Sequence, residues 1–318
     1  MNILPKPEVI FTHESDLDGL ISGLLLRKLA FKLFETEVPL QTFHTDSWHK
    51  RKIRENSAWV SDLSFDSRYD KDGWVIIDHH MLSSTPTKAK LIHDTTRCAS
   101  SLCYDLCREN GIQSPALDKL VHLCNVADLF IESDPDFLLA TDYSNLVKTY
   151  QFWNIVHLIE WDLDRLLDHP LLEVMAVKRK IENPIGTEFS RKKILELAPG
   201  IGFVETAIGN PNIILNNLLQ DAAIRYEVLV TINKRVNGSL LVSFRSRNGR
   251  ALKVASFLRG GGHPNAAGTV LPKSVQNVEE AIQYMRRILN PEQNNMKELN
   301  SLEDLFEAAE SEINSRND

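Results

Sequence analysis

A chain of 318 residues, 43% apolar and 25% charged, has the composition of an ordinary globular protein long enough for two cores, which excludes a disordered, collagenous or disulfide-built chain. No apolar run approaches the ~20 residues that span a bilayer, and residues 1–7 lack the apolar stretch of a secretory signal. The expected location is therefore the cytoplasm, with no membrane partner.

The net charge of −7 is unevenly spread. Residues 293–318 hold seven acids against two bases, whereas residues 228–278 hold eight bases and no acid. A basic lobe in an otherwise acidic protein points to a local anionic ligand. Of the four cysteines, Cys98, Cys103 and Cys107 fall at helical spacing in one segment and Cys124 stands apart, with no Cys-x-x-Cys pair. They are expected to be small buried hydrophobes rather than a zinc site or a disulfide framework.

Along the chain, the first third alternates strand and helix. Residues 9–11 are an apolar strand, 20–34 a helix, 58–61, 74–77 and 91–92 strands, and 101–107 and 117–124 helices. Alternation of this kind predicts βαβ units and a parallel sheet. Residues 135–181 are mostly helical, with Leu163, Leu166, Leu167, Leu171 and Leu172 at core spacing, until Asn183-Pro184-Ile185-Gly186 breaks the pattern. A second domain follows, with strands at 201–208, 226–232, 239–244 and 266–271, helices at 213–223, 252–258 and 278–289, and a hairpin turn at Asn237-Gly238. The tail carries Leu302, Leu305, Phe306, Ala309 and Ile313 on one stripe, opposite an acidic face. Such a stripe packs on the body or on a sister subunit, giving a homodimer, rather than on a membrane. The expected architecture is α/β: a parallel-sheet domain with helices on both faces (1–185), a linker (186–200), a smaller α/β domain (201–292) with a cleft between the two, and an acidic amphipathic tail (293–318).

The chemistry gathers at strand ends. His13, Asp16 and Asp18 follow the first strand, Asp62 closes another, and Asp78-His79-His80 ends Trp74-Val75-Ile76-Ile77; Asp128 comes later, in Asn125-Val126-Ala127-Asp128. Open α/β sheets form their binding crevice outside the carboxyl ends of their strands. Any one of these residues could be a turn or a helix cap. Together they read as ligands, with Asp16 and Asp18 addressing two neighbouring ions from an extended segment and Asp62 bridging them. Carboxylate and imidazole ligands without thiolate suit manganese or a related divalent ion. His44, His49, His93, His122, His157 and His169 lack a matched partner and are taken as ordinary residues. In the basic lobe, Gly260-Gly261-Gly262-His263 permits close approach of backbone N–H groups to an anion, with Arg245 and His263 supplying charge-assisted contacts.

Taken together, these motifs resemble the DHH phosphoesterase family, in the branch with a DHH-associated second domain. The residues that carry the resemblance are His13-Glu14-Ser15-Asp16-Leu17-Asp18-Gly19, Asp62, Asp78-His79-His80, Asn125-Val126-Ala127-Asp128, then Arg245-Ser246 and residues 260–268. The resemblance implies two manganese ions, one on His13, Asp16 and Asp62, the other on Asp18, Asp62, His79 and Asp128. Asp78 would hold an imidazole or complete a shell, and His80 would contact the scissile phosphate. Arg245, Ser246, Gly260, Gly261, Gly262 and His263 would bind substrate. One spacing departs from the family: His13 precedes Asp16 by three positions, whereas nanoRNase-like members show four and RecJ-like members place an acid two before.

The implied reaction is hydrolysis of a phosphate ester by metal-activated water. Long single strands want an extended groove with aromatic platforms and many phosphate contacts, and the second domain is poor in aromatics. A short oligonucleotide or a linear or cyclic dinucleotide is the expected substrate. The alternatives are a RecJ-like single-strand exonuclease, a 3′,5′-bisphosphate nucleotide phosphatase, and a nucleotide-binding regulator without catalysis.

Overall fold

The computed structural model describes residues 4–82, 84–235, 238–290 and Phe306. The chain divides into two compact units, Met1–Val177 and Lys178–Asp318.

The first unit is built on β1 (Val9–His13), β2 (Leu40–Phe43), β3 (Ala58–Ser61), β4 (Trp74–Asp78) and β5 (Lys90–His93), ordered β2-β1-β3-β4-β5 and parallel throughout. Ile10, Phe11, Trp59, Val60, Val75 and Ile76 are buried on consecutive positions. Continuous burial is what a parallel sheet covered on both faces requires, and each such side chain stabilises the fold by about 1.5–3 kcal/mol. One face packs against α1 (Leu17–Phe34) through Leu20, Ile21, Leu24 and Leu25. On the other, α2 (Thr45–Trp48) supplies Trp48, stacked on Tyr69 at 4.3 Å, and Arg51 lies over Phe11 at 4.3 Å while pairing with Glu55. Strand order 2-1-3 means the chain leaves β1 to one side and returns on the other. The connections therefore diverge between the carboxyl ends of β1 and β3 and open a crevice there. The unit continues with α3 (Ala99–Glu109), α4 (Pro115–Asp128), α5 (Phe137–Tyr150) and α6 (Phe152–Leu158).

The second unit has a six-stranded mixed sheet. Its strands are β6 (Ile194–Ala198), β7 (Ile201–Val204), β8 (Val228–Lys234), β9 (Leu240–Ser246), β10 (Gly261–His263) and β11 (Ala266–Val270), in the order β10-β11-β9-β8-β7-β6. Among these described strands only β7 and β8 pair in parallel. Helices α8 (Pro211–Gln220), α9 (Arg250–Phe257) and α10 (Val278–Leu289) complete it, α10 burying Ala281, Met285 and Leu289. β8 and β9 form the expected hairpin, with Gly238 at φ +82°; Asn237 lies outside the described residues. So does the tail, except Phe306, whose ring packs on Phe257 at 5.8 Å and under Lys253 at 4.1 Å.

The expected linker is not one. α7 (Leu171–Arg191) runs through Asn183-Pro184-Ile185-Gly186 without ending, and residues 194–198 form β6, an edge strand paired with β7. A proline inside a helix costs about 3 kcal/mol. The helix continues through it nonetheless, and the Asn183 carboxamide accepts the Asn210 N–H at 2.8 Å, at the start of α8. β2 was not legible in the sequence, and α1 begins at Leu17 rather than near residue 20. Among the described residues no helix is long and apolar enough to cross a membrane.

Candidate metal centre

His13, Asp16, Asp18, Asp62, Asp78, His79, His80 and Asp128 are brought together at the carboxyl end of the first sheet, at the β1/β3 crevice. They do not all arrive from strand ends. His13 ends β1, Asp62 follows β3 and Asp78 ends β4, but Asp18 stands in the first turn of α1 and Asp128 in the last turn of α4. Nor is the Asp16–Asp18 segment extended. Asp16 is the N-cap of α1, its Oδ1 accepting the Gly19 N–H at 3.0 Å. Gly19 serves close approach rather than turning: a Cβ there would lie 2.0 Å from the His13 carbonyl oxygen. Only glycine lets the helix start press this tightly against the strand end.

Asp62 occupies the middle. Its φ of +54° is left-handed, a conformation that costs a non-glycine residue about 1–2 kcal/mol and that here turns the carboxylate into the crevice. Its Oδ2 lies 3.4 Å from His13 Nδ1, and His13 Nδ1 is 2.7 Å from Asp16 Oδ2. Its other oxygen, Oδ1, lies 3.6 Å from His79 Nε2, which is also 3.4 Å from Asp128 Oδ2 and 3.8 Å from Asp18 Oδ2. Among the donor groups whose ligand atoms lie within 4.8 Å of one another are His13–Asp16–Asp62 and Asp18–His79–Asp128, with Asp62, Asp78, His79 and His80 forming an overlapping one. The three-residue spacing of His13 does not keep it out. Because Asp16 is a helix cap, the connecting loop folds back and sets the imidazole against it.

Asp78 plays a different part. Its Oδ1 accepts the His79 N–H at 2.9 Å and lies 2.8 Å from His80 Nδ1, so it holds the loop and the His80 ring. Two histidines taken as ordinary from the sequence belong here. His93, opposite Asp78 in the β4/β5 register, places Nε2 2.7 Å from the His80 carbonyl oxygen. His44, which precedes α2 at the carboxyl end of β2, has Nδ1 2.6 Å from Ser15 Oγ. The signal that could have found them is the same strand-end position that marked the others.

The electrostatics fit a cation site. Asp62 Oδ2, Asp78 Oδ2 and Asp128 Oδ2 are buried and make no hydrogen bond among the described residues. Burial and the neighbouring Asp62 push Asp18 up to about 6, and burial with Asp18 raises Asp128 well above the carboxylate range. Burial would lower His79, but Asp62, Asp128 and Asp18 outweigh it and push the imidazole up to about 10. His80 rises to about 9 because Asp78 outweighs its burial. Without a metal, imidazolium protons supply the positive charge that these carboxylates require. Oxygen-rich donors with imidazole suit a hard or borderline divalent ion.

In the second unit, Arg245 of β9 donates from Nη2 to Asn212 Oδ1 at 2.9 Å, forms no ion pair among the described residues, and is lowered to about 10 by burial. Ser246 is engaged structurally: its Oγ accepts the Ala251 N–H at 3.0 Å in the first turn of α9. Ser246→Ala is expected to lower stability by about 1 kcal/mol, read from chemical denaturation. The glycines are not a loose loop. Gly261-Gly262-His263 form β10, paired with Ala266–Gly268 of β11. A Cβ at Gly260 or Gly262 would fall 2.6 Å from a backbone oxygen, whereas one at Gly261 would meet nothing within 4 Å.

Residues 206–290 match the DHHA1 domain family. In the solved DHH domain of PF0399, a member of the s1p family of ribosomal proteins, the fold recurs at a TM-score of 0.58 with 15% identity, over 88% of this chain and 85% of that one. The chain has the DHH–DHHA1 architecture. RecJ from Thermus thermophilus, solved in complex with Mn2+, matches at a TM-score of 0.50 and 16% identity; 87% of this chain corresponds to only 52% of RecJ. A pGpG-specific phosphodiesterase, PggH from Vibrio cholerae, aligns over 87% of this chain and 98% of its own at 14% identity, with a TM-score of 0.49 that supports no inference about activity. At these identities the DHH–DHHA1 likeness is one of fold. No curated protein matches the sequence.

Proposed function

We propose that this protein is a manganese-dependent phosphodiesterase that hydrolyses short oligonucleotides, or linear or cyclic dinucleotides, to mononucleotides. The observation that carries this reading is Asp62, whose two carboxylate oxygens face two separate donor groups, 3.4 Å from His13 and 3.6 Å from His79. That is the placement expected of a carboxylate shared by two ions. His13, Asp16 and Asp62 would hold one ion, and Asp18, Asp62, His79 and Asp128 the other. When bound, the pair would lower the pKa of water and neutralise charge on the phosphoryl oxygens.

The remaining roles belong to the chain itself. Asp78 fixes the His80 ring, whose side chain is 33% exposed and which, charged at neutral pH, donates to a phosphoryl oxygen of the substrate. In the second unit, Arg245, a cation with no carboxylate partner among the described residues, and the open backbone at Gly261 would bind an anionic group of the substrate. Ser246 supports α9 beneath them, and His263 adds a donor on the same hairpin. Gly261→Ala is expected to keep the melting temperature, because its Cβ has room, and to raise KM about tenfold by obstructing close approach of the substrate.

The test is incubation with manganese and labelled cyclic dinucleotides, and with labelled RNA and DNA from dinucleotides to about 25 nucleotides. Preferential conversion of the shortest species to mononucleotides, lost in the Asp78→Ala, His79→Ala double variant, supports the reading. Stepwise degradation favouring long DNA replaces it with a RecJ-like exonuclease. Every length left intact rules out phosphodiester hydrolysis.

A further inference from the structure

Directly behind the candidate centre lies a second donor group of opposite chemical character. Cys98, the N-cap of α3, and Cys124, on α4, are both fully buried. Their Sγ atoms and a carboxylate oxygen of Asp18 lie within 4.8 Å of one another, and Cys124 Sγ is 3.4 Å from Asp18 Oδ1. Zinc bonded to two thiolates at ~2.3 Å and a carboxylate oxygen at ~2.1 Å separates its ligand atoms by about 3.6–3.8 Å. The Cys124–Asp18 pair, at 3.4 Å, falls within a few tenths of an ångström of that sulfur–oxygen spacing.

In the metal-free protein the Cys124 thiol donates to Asp18 Oδ1, and burial beside Asp18 and Asp128 holds that thiol well above the usual thiol range, so an entering ion must displace its proton. The first N–H groups of α3 are aimed at this spot, Ala99 and Ser100 donating to Asp18 at 2.8 and 2.7 Å, so the positive end of an eleven-residue helix faces it. Ser100 Oγ and Ser101 Oγ stand 3.0 and 3.3 Å from Cys98 Sγ, hydroxyls able to donate to a thiolate. Asp18 belongs to this group and to the His79–Asp128 group alike.

We propose that Cys98, Cys124 and Asp18 form a buried site for a thiophilic divalent ion such as zinc or cadmium, and that its occupancy draws Asp18 away from the hard-ion centre. The second clause rests on the reading of Asp18 as a ligand of that centre; the first does not. Each thiol gives up its proton to solvent as its bond to the ion forms, and no electrons are exchanged. The bland role of a buried cysteine pair is space-filling, which predicts no metal capture.

The test titrates cadmium into the full-length protein, metal-free and manganese-saturated, following the ultraviolet charge-transfer band of a cadmium–thiolate bond. The wild type and a Cys103→Ser, Cys107→Ser control are expected to develop the band to one cadmium per chain. A Cys98→Ser, Cys124→Ser variant is expected to develop none, while still binding manganese by electron paramagnetic resonance, which shows its centre to be folded. Cadmium should weaken manganese binding about tenfold. A band in that variant equal to wild type, its absence from wild type, or manganese affinity unmoved by cadmium overturns the proposal. A thiolate band in a protein that binds no manganese would instead sink the two-metal reading and leave the thiol site standing.

Discussion

If the proposed two-ion reading holds, Asp62→Asn is expected to lower hydrolysis of a dinucleotide by on the order of 10³-fold at saturating manganese, the scale seen when one preorganised electrostatic contact to a reacting centre is removed. The expectation follows from its position. Among the described residues Asp62 is the side chain with one oxygen near each donor group, 3.4 Å from His13 and 3.6 Å from His79. A carboxamide keeps the shape but has one acceptor oxygen and no charge, so one of the two groups loses its shared ligand. Asp128→Asn tests the other half with less effect on the fold. Burial and Asp18 raise the Asp128 carboxyl well above the carboxylate range, toward the neutral form whose shape a carboxamide shares. Its metal-free melting temperature should equal that of wild type, while the rise produced by manganese should shrink. A full manganese-induced rise in both variants would remove these residues from the centre.

Manganese affinity is expected to climb steeply with pH, by at least about tenfold per unit between pH 7 and 9, since His13 and Asp128 are raised well above their ordinary values along with His79, and more steeply still below pH 6. Metal ligands must be deprotonated, so protons held by the free site compete with the ion. His79, pushed up to about 10 by Asp62, Asp128 and Asp18 against the effect of its burial, releases one proton on binding across the neutral range. Asp18, pushed up to about 6 chiefly by burial and then by Asp62, adds another below that value. The metal-free protein has the opposite slope. The raised His79 contributes stability that is fully present below the unfolded histidine value and is lost as pH rises toward about 10. The raised Asp18 subtracts stability as pH rises from about 4 to about 6. Calorimetry in buffers of differing ionisation enthalpy counts the released protons. An affinity independent of pH from 6 to 9 would show that the histidine is not a ligand.

Much of the site was legible because its chemistry and its local periodicity coincide. Buried parallel strands are continuous apolar runs, so an Asp or His that ends one, as Asp62 ends the run Ala58–Ser61 and Asp78-His79-His80 ends Trp74–Ile77, stands out without any knowledge of the fold. His44 and His93 hid because each becomes meaningful only beside a neighbouring strand: His93 through its register with Asp78, His44 through Ser15 on the loop after β1. Ser246 and Gly262 were legible as a motif but not as structural parts, since their partners Ala251 and Ala266 lie at distances that only folding sets.

The linker shows the reverse error. Asn-Pro-x-Gly is a helix-breaking string by local propensity, yet α7 passes through it, with Asn183 also bonded to the start of α8. By itself the sequence determined which residues are candidates for metal and phosphate chemistry, and the alternation that makes a parallel sheet. The tertiary structure alone decided that Asp16 caps a helix while touching His13, that Asp62 turns left-handed to face two groups, and that Asp18 lies between the His79–Asp128 donors and a pair of thiols. Propensity and periodicity act over a few neighbouring residues, whereas each of these facts is a distance between atoms whose residues the chain separates by up to about a hundred positions.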